Sequence, residues 1–125
     1  MPKGPVSFQL EQAVGDRPVI LLFAPSERSP AYESQIPLLD DATLRELHPL
    51  LVRVFTDGDS YAGDERIDDA SIDALRTSYD VDDDEFLILF IDLDGTELHR
   101  SDAPVPSSLI IERFSGGVRG EPRVI

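Results

Sequence analysis

An apolar run rich in branched side chains, Val19–Ala24, leads directly into a polar turn that ends in a proline. A continuous run of this kind is typical of a central strand that is covered on both faces of a sheet. Pro25 cannot donate to a sheet ladder, so the strand is expected to end there. Ser29 followed by Pro30 is typical of a helix start, because serine is a good cap and proline at the first helical position loses no needed hydrogen bond. The sequence therefore predicts a buried strand, a short turn and a helix over 29–47.

Three further segments predict strands, and they lie at 50–55, 86–91 and 97–100. Asp94-Gly95 between the last two is the signal of a tight hairpin, so those two strands are expected to be antiparallel. The strands at 19–24 and 50–55 are expected to be parallel, with the helix between them. The predicted fold class is therefore α/β, with a mixed central sheet of about four strands flanked by helices.

The other segments complete a single predicted domain over 1–116. Apolar spacing predicts a short first helix over 6–15 and a last helix from 107 to about 114. Two glycines and six acidic residues predict a long solvated loop over 56–69. A loose tail is expected over 117–125.

The predicted order of elements is similar to that of a thioredoxin-like domain over nearly the whole chain. Phe23-Ala24 matches the strand end before the thioredoxin turn, and Pro37–Asp40 looks like the kinked part of the first long helix. Tyr79–Val81, followed by an apolar strand and Asp94-Gly95, matches the thioredoxin run from the third helix through the hairpin. The resemblance implies a thioredoxin-type fold.

A closer resemblance is to an uncharacterised bacterial thioredoxin-like family. Its members share a strand that ends like Phe23-Ala24-Pro25-Ser26 and a hairpin followed by Arg100-Ser101-Asp102. A Pro-Val such as Pro104-Val105 comes next, before the last helix. The resemblance implies no activity, because a fold by itself carries no function.

The chain contains no cysteine, which excludes thiol–disulfide exchange, thiolate catalysis and thiolate metal ligation. One register of the thioredoxin resemblance places Arg28 and Ala31 at the two cysteine positions. The other register places Ser29 and Tyr32 there. Glu85 stands at about the place of the cis-proline that faces the cysteines in thioredoxins. By this resemblance, the chain lacks both the cysteine pair and the cis-proline of the thioredoxin redox site.

The net charge of −14 excludes the partners that need a basic footprint. Nucleic acid and anionic membrane surfaces are not expected as partners, because both are polyanions. Aspartate exceeds glutamate, and Lys3 is the single lysine. This balance favours adaptation to high internal salt, since salt screens the self-repulsion of such a surface. Ordinary acidic solubility is the alternative.

No apolar run approaches the roughly 20 residues of a membrane span. The first residues, Met1–Pro5, lack the charged-then-apolar pattern of a signal peptide. The interpretation favours the cytoplasm, with a periplasmic or secreted location if a leader preceded this chain. The sequence indicates no oligomeric state.

The expected ligand site is the turn that replaces the redox site. Its candidate residues are Ser26, Arg28, Ser29, Tyr32 and Glu85. Thioredoxin-like domains present a groove beside this turn, which here would be formed by 25–32 and the 82–86 loop. The first interpretation is a binding or interaction module without catalysis, with a protein or peptide partner in that groove.

Two alternatives remain open. A small enzyme or anion binder could use Arg28, the turn serines and the N-terminus of the 29–47 helix, where free N–H groups and the helix dipole favour anions. A divalent-metal binder at 80–85 ranks lower, because the acids there do not complete a calcium loop. No catalytic residue, metal ligand or cofactor is assigned. His48 and His99 have no evident route to the turn, so the interpretation leans away from an enzyme.

Overall fold

The computed structural model describes residues 17–114 and also Ser7, Phe8, Leu10 and Gly15. The predicted helix over 6–15 lies largely outside the described residues, and the predicted tail over 117–125 lies wholly outside them.

The described part of the chain alternates strands and helices. In order, the elements are β1 (Val19–Ala24), α1 (Pro30–Leu38), α2 (Ala42–Glu46), β2 (Leu50–Phe55), β3 (Tyr61–Ala62), β4 (Glu65–Arg66), α3 (Asp69–Tyr79), β5 (Leu87–Ile91), β6 (Glu97–Ser101) and α4 (Ser107–Phe114). The strands form one sheet in the order β4-β3-β2-β1-β5-β6.

The centre of the sheet has the expected directions. β1 pairs in parallel with β2, with Val19 opposite Leu50, and antiparallel with β5, with Val19 opposite Ile91. β5 and β6 form the predicted antiparallel hairpin. The parallel pair and the hairpin are therefore confirmed.

Both faces of the sheet are covered, as the apolar run of β1 predicts, and all six β1 side chains are buried. Ile20 and Leu22 point to a core cluster shared with α1, α2 and α4. Leu21 and Phe23 point to a second cluster shared with α3. The alternation of side chains along one strand thus divides the core into two layers.

The sheet has six strands within the described ranges, where about four were predicted. The extra pair, β3 and β4, lies inside the segment predicted as a solvated loop. Gly63, with φ of +66°, makes the turn between them, a conformation that glycine adopts without strain. Buried Ser60 anchors the segment, because its hydroxyl accepts from the Phe55 N–H at 2.8 Å.

The predicted helix over 29–47 is two helices, so that prediction is wrong. α1 ends at Leu38 and includes Pro37, and α2 begins after Asp41. The Asp41 carboxylate accepts from the Thr43 N–H at 2.9 Å and the Leu44 N–H at 3.1 Å. A new helix starts here because an aspartate cap satisfies two of its free N–H groups.

A buried glutamine links α1 to the segment that precedes α4. The Gln35 side chain is fully buried. Its Nε2 donates to the Val105 carbonyl at 2.9 Å, and its Oε1 accepts from the Val105 N–H at 2.7 Å. The pair satisfies two backbone groups that lie 70 residues away along the chain.

The two outer strands of the sheet differ in composition from the central ones. β4 consists of exposed Glu65 and Arg66. β6 has the sequence ELHRS and contains no fully buried residue.

Candidate functional site

The turn after β1 is held by its own serines. The Ser26 hydroxyl accepts from the Arg28 N–H at 3.1 Å, and the Ser26 carbonyl accepts from the Ser29 N–H at 3.2 Å and from the Ser29 hydroxyl at 3.1 Å. Ser29 is the cap residue of α1 by its backbone, but its side chain does not cap the helix. Both hydroxyls therefore fix the shape of the turn, and neither is hydrogen-bonded to a side-chain base among the described residues.

Glu27 and Arg28 are the exposed side chains of this turn. Among the described residues, the Arg28 guanidinium has no hydrogen-bond or ion-pair partner. The turn thus presents one free forked donor at the start of a nine-residue helix.

Tyr32 is buried rather than exposed at the turn. Its ring meets the Phe55 ring edge-on at a centroid distance of 5.0 Å, and its hydroxyl lies 3.5 Å from Arg53 Nη1. The structure therefore does not bring Tyr32 to the surface with Arg28, although the sequence grouped them.

Glu85 closes a different turn. Its Oε1 accepts from the Asp82 N–H at 2.9 Å, and its own N–H donates to the Asp82 carbonyl at 3.2 Å. The side chain is half-buried and holds the loop that precedes β5. Glu85 acts here as a local brace for that loop.

Hydrogen bonds join the 82–85 loop to the turn at 25–29 through a third loop, 56–58, which follows β2. The Asp57 N–H donates to the Pro25 carbonyl at 2.9 Å, and the Thr56 hydroxyl donates to the Asp83 carbonyl. Arg76 of α3 donates to Thr56 Oγ1 at 2.7 Å and to the Asp82 carbonyl at 3.2 Å. We call the combined face of 25–29, 56–58 and 82–85 the three-loop surface.

The three-loop surface lies at the carboxyl ends of the parallel strands β1 and β2. In open α/β sheets ligands bind outside the carboxyl ends of the strands. The position agrees with that rule.

The acids at 80–85 do not converge. Within the described ranges, no group of three or more histidine, aspartate or glutamate side chains could hold a metal ion. Asp80 is the left-handed cap of α3, with φ of +55°. The geometry gives no support to the metal alternative.

Neither histidine reaches the turn. His99 of β6 stacks on Phe90 at a centroid distance of 5.4 Å. His48 lies after α2 and lines a pocket with Ile20, at the opposite end of β1 from the turn. The turn serines therefore have no histidine base.

The two carboxyls whose pKa is lowered, Asp41 and Asp68, are helix caps. The Leu44 N–H, ahead of the Ser107 hydroxyl and the Thr43 N–H, lowers the pKa of Asp41 by hydrogen bonding to its carboxylate. The Ser71 hydroxyl and N–H lower the pKa of Asp68, the cap of α3, in the same way. Both shifts follow from helix starts and neither marks a catalytic pair.

The pocket that contains His48 was not predicted from the sequence. It has a volume of about 470 Å³ and combines apolar side chains with Arg17, Arg45 and His48. Arg17, Arg45 and His48 come from three places in the chain, so no local motif signals them.

Within residues 17–114, no helix has both the length and the apolar character that crossing a bilayer requires.

Comparisons with known proteins give a family and a fold. A family model described as "Domain of unknown function (DUF4174)" matches residues 9–113. No curated protein matches the chain. Among solved structures, the reduced 2-Cys peroxiredoxin of Plasmodium vivax is similar, with a TM-score of 0.63 and 18% identity over 90% of this chain and 83% of that one. That likeness shows a thioredoxin-type fold.

Proposed function

We propose, for a chain that belongs to the DUF4174 family, a binding module that keeps the thioredoxin-type fold, works without redox chemistry and recognises a protein or peptide through the three-loop surface. The observation that carries the proposal is Arg28. It is exposed and without a partner among the described residues, on a turn that three hydrogen bonds hold rigid. The fixed turn reduces the backbone ordering that binding requires, and the planar guanidinium fork matches the geometry of a carboxylate.

The rest of the surface supports recognition rather than catalysis. The three loops are linked to one another by hydrogen bonds, so their shape is fixed before a partner arrives. The hydroxyls of Ser26, Ser29 and Thr56 are all engaged in these bonds. A nucleophile would need a base beside it, and none of these hydroxyls is hydrogen-bonded to a carboxylate or histidine among the described residues.

The proposed partner offers an acidic group to Arg28 and meets this module in a salt-rich solvent. The net charge of −14 repels an acidic partner at long range. Salt screens that repulsion beyond about 10 Å at 0.1 M, and contact pairs are screened much less. High salt therefore favours short-range recognition by Arg28 over long-range repulsion.

Photo-crosslinking in the native host tests the proposal. Glu27→benzoylphenylalanine places a crosslinker beside Arg28 and leaves Arg28 in place, and Asp64→benzoylphenylalanine is the matched exposed control in the β3–β4 turn. We expect one specific adduct from position 27, its loss on adding Arg28→Ala, and no adduct of that mass from position 64. The same adducts at both positions, or an adduct that survives Arg28→Ala, would contradict the proposal.

A further inference from the structure

The pocket that contains His48 lies at the end of the sheet away from the three-loop surface. β1 runs from Val19 to Ala24, and the three-loop surface follows Ala24. Ile20 and Leu51, which face each other near the beginning of β1 and β2, line the pocket. The pocket is therefore a separate place on the molecule, and the inference drawn from it does not depend on the proposed function.

The walls of this pocket are apolar and continuous with the core. Ile20 and Leu44 are each 2% exposed and belong to the core cluster shared with α1, α2 and α4. Leu39 and Leu51 are half-buried and pack against the same cluster. An apolar chain in the pocket would leave water for a preformed hydrophobic surface.

The described residues that line the pocket include cations and no carboxylate. Arg17, Arg45 and His48 are among them, and none of these described lining residues is an aspartate or glutamate. The chain as a whole has 25 acidic residues against 11 lysines and arginines. A pocket of about 320 Å³ beside α3 shows the contrast, because three aspartates line it against one arginine, Arg76. The cationic rim therefore differs in sign from the protein that surrounds it.

Arg45 of the rim is available to a ligand. Arg45 pairs with Asp40, and the two side chains are 63% and 78% exposed. An exposed pair of this kind contributes little, so a ligand carboxylate can replace Asp40. Asp41, the next acid, is engaged by the α2 cap and by the Ser107 hydroxyl at 3.2 Å. The Leu44 N–H and, less strongly, the charge of Arg45 lower the pKa of Asp41, whose carboxylate therefore already has partners of its own.

His48 has an unusual backbone conformation beside the pocket. Its φ is +53°, in the left-handed region that residues other than glycine rarely adopt. Its N–H donates to the Arg45 carbonyl at 3.0 Å. The conformation places an imidazole, which can donate a hydrogen bond, next to Arg45 at the rim.

We propose that this cation-rimmed pocket binds a small amphipathic carboxylate, a free acid with a short alkyl or aryl chain. The volume of about 470 Å³ is in the usual range of small-molecule sites. The tail lies against Ile20 and Leu44, and the carboxylate accepts from Arg17 and Arg45. Charge-assisted contacts of this kind are short-ranged, so they persist although the whole protein is negative.

Ligand specificity provides the first test. The full chain, labelled with ¹⁵N, is titrated at fixed ionic strength with octanoate, and hexanoate, acetate, octanol and octylammonium serve as matched probes. We expect saturable shifts at Leu39, Leu51 and His48 with octanoate. Hexanoate should bind about tenfold more weakly, because two methylenes fewer are buried. Acetate should give no saturable binding. Octanol and octylammonium should each bind at least tenfold more weakly than octanoate, since they lack the carboxylate.

Variants provide the second test. The double variant Arg17→Ala/Arg45→Ala should bind octanoate at least about tenfold more weakly than the wild type does. Arg66→Ala is the matched control, because Arg66 is likewise exposed and ion-paired, to Asp59 at 3.6 Å, but lies on β4; it should change affinity less than twofold. Octanol or octylammonium binding as tightly as octanoate, shifts outside the pocket, no saturable binding, or an equal loss in Arg66→Ala would each overturn the proposal. The ligand series decides it even if the double variant fails to fold.

Discussion

Replacing Gln35, the buried glutamine of α1, tests how much its link to Val105 contributes to the stability of the fold. Gln35→Met keeps the length of the side chain and removes both of its hydrogen-bonding groups, so little cavity is created. The Val105 N–H and carbonyl, now bonded at 2.7 and 2.9 Å, would stay buried without partners. Each such group costs about 1–3 kcal/mol, and the apolar thioether offsets part of the sum. We expect a net loss of about 3 kcal/mol.

Urea unfolding of the full chain, at one salt concentration and with equal slopes for both proteins, measures this loss. The melting temperature should fall by roughly 10–15 °C. Ser34→Ala is the control on the same helix, where the side chain is exposed, and it should change the free energy of unfolding by less than about 0.5 kcal/mol.

A second variant separates donor from acceptor. When ionised, the side chain of Gln35→Glu can still accept from the Val105 N–H but cannot donate to the Val105 carbonyl. Its loss of unfolding free energy relative to the wild type should therefore shrink as acid protonates the new carboxyl. A loss below about 1 kcal/mol in Gln35→Met, or a pH-independent deficit in Gln35→Glu, would refute the reasoning.

Three further predictions concern charge. The pKa values of Asp41 and Asp68 are lowered in the folded state, so these carboxylates stabilise the fold above their ordinary value of 3.8, and that stability is lost as pH falls through the lower folded values. Asp41→Asn/Asp68→Asn keeps both caps, and its free energy of unfolding should therefore fall less than that of the wild type in acid titrations; parallel curves would contradict this. Arg76→Ala should cost about 1.5–3 kcal/mol and increase hydrogen exchange at 56–58 and 82–85, because Arg76 bridges these loops; protection that is unchanged there would argue against the bridge. Because the net charge is −14, the melting temperature should rise from low to molar KCl, and a flat response would remove the interpretation of salt adaptation.

The central strands could be predicted because burial on both faces leaves a plain pattern. The apolar run at 19–24 predicted a buried central strand, and Asp94-Gly95 predicted the β5–β6 hairpin. The pair β3–β4 was missed because two-residue strands are too short to show alternation. The Gly63-Asp64 step between them was a signal that the surrounding acids concealed.

The helix break was missed for a related reason. Pro37 drew attention as the expected kink, yet α1 accommodates it near its end. Asp41 was the better signal, since an aspartate cap accepts from the N–H groups two and three residues later and the helix begins directly after it. A cap competes with helix continuation, and local propensity does not decide which prevails.

The candidate site was only partly predictable. Ser26 and Arg28 followed from the turn, but the burial of Tyr32 depends on its contact with Phe55 of β2, which sequence spacing does not show. The cation-rimmed pocket depends on tertiary structure even more, because Arg17 and Arg45 are far apart in the sequence and line one pocket only in the folded chain.

The outer strands have a consequence for how another protein can attach. Strand addition needs a long, flat edge with unpaired backbone groups. β4 is two residues long and charged, and β6 is five residues long and carries exposed, charged side chains at Glu97 and Arg100. Both borders therefore disfavour β-augmentation and edge-to-edge aggregation, so a partner must approach through loops or helices.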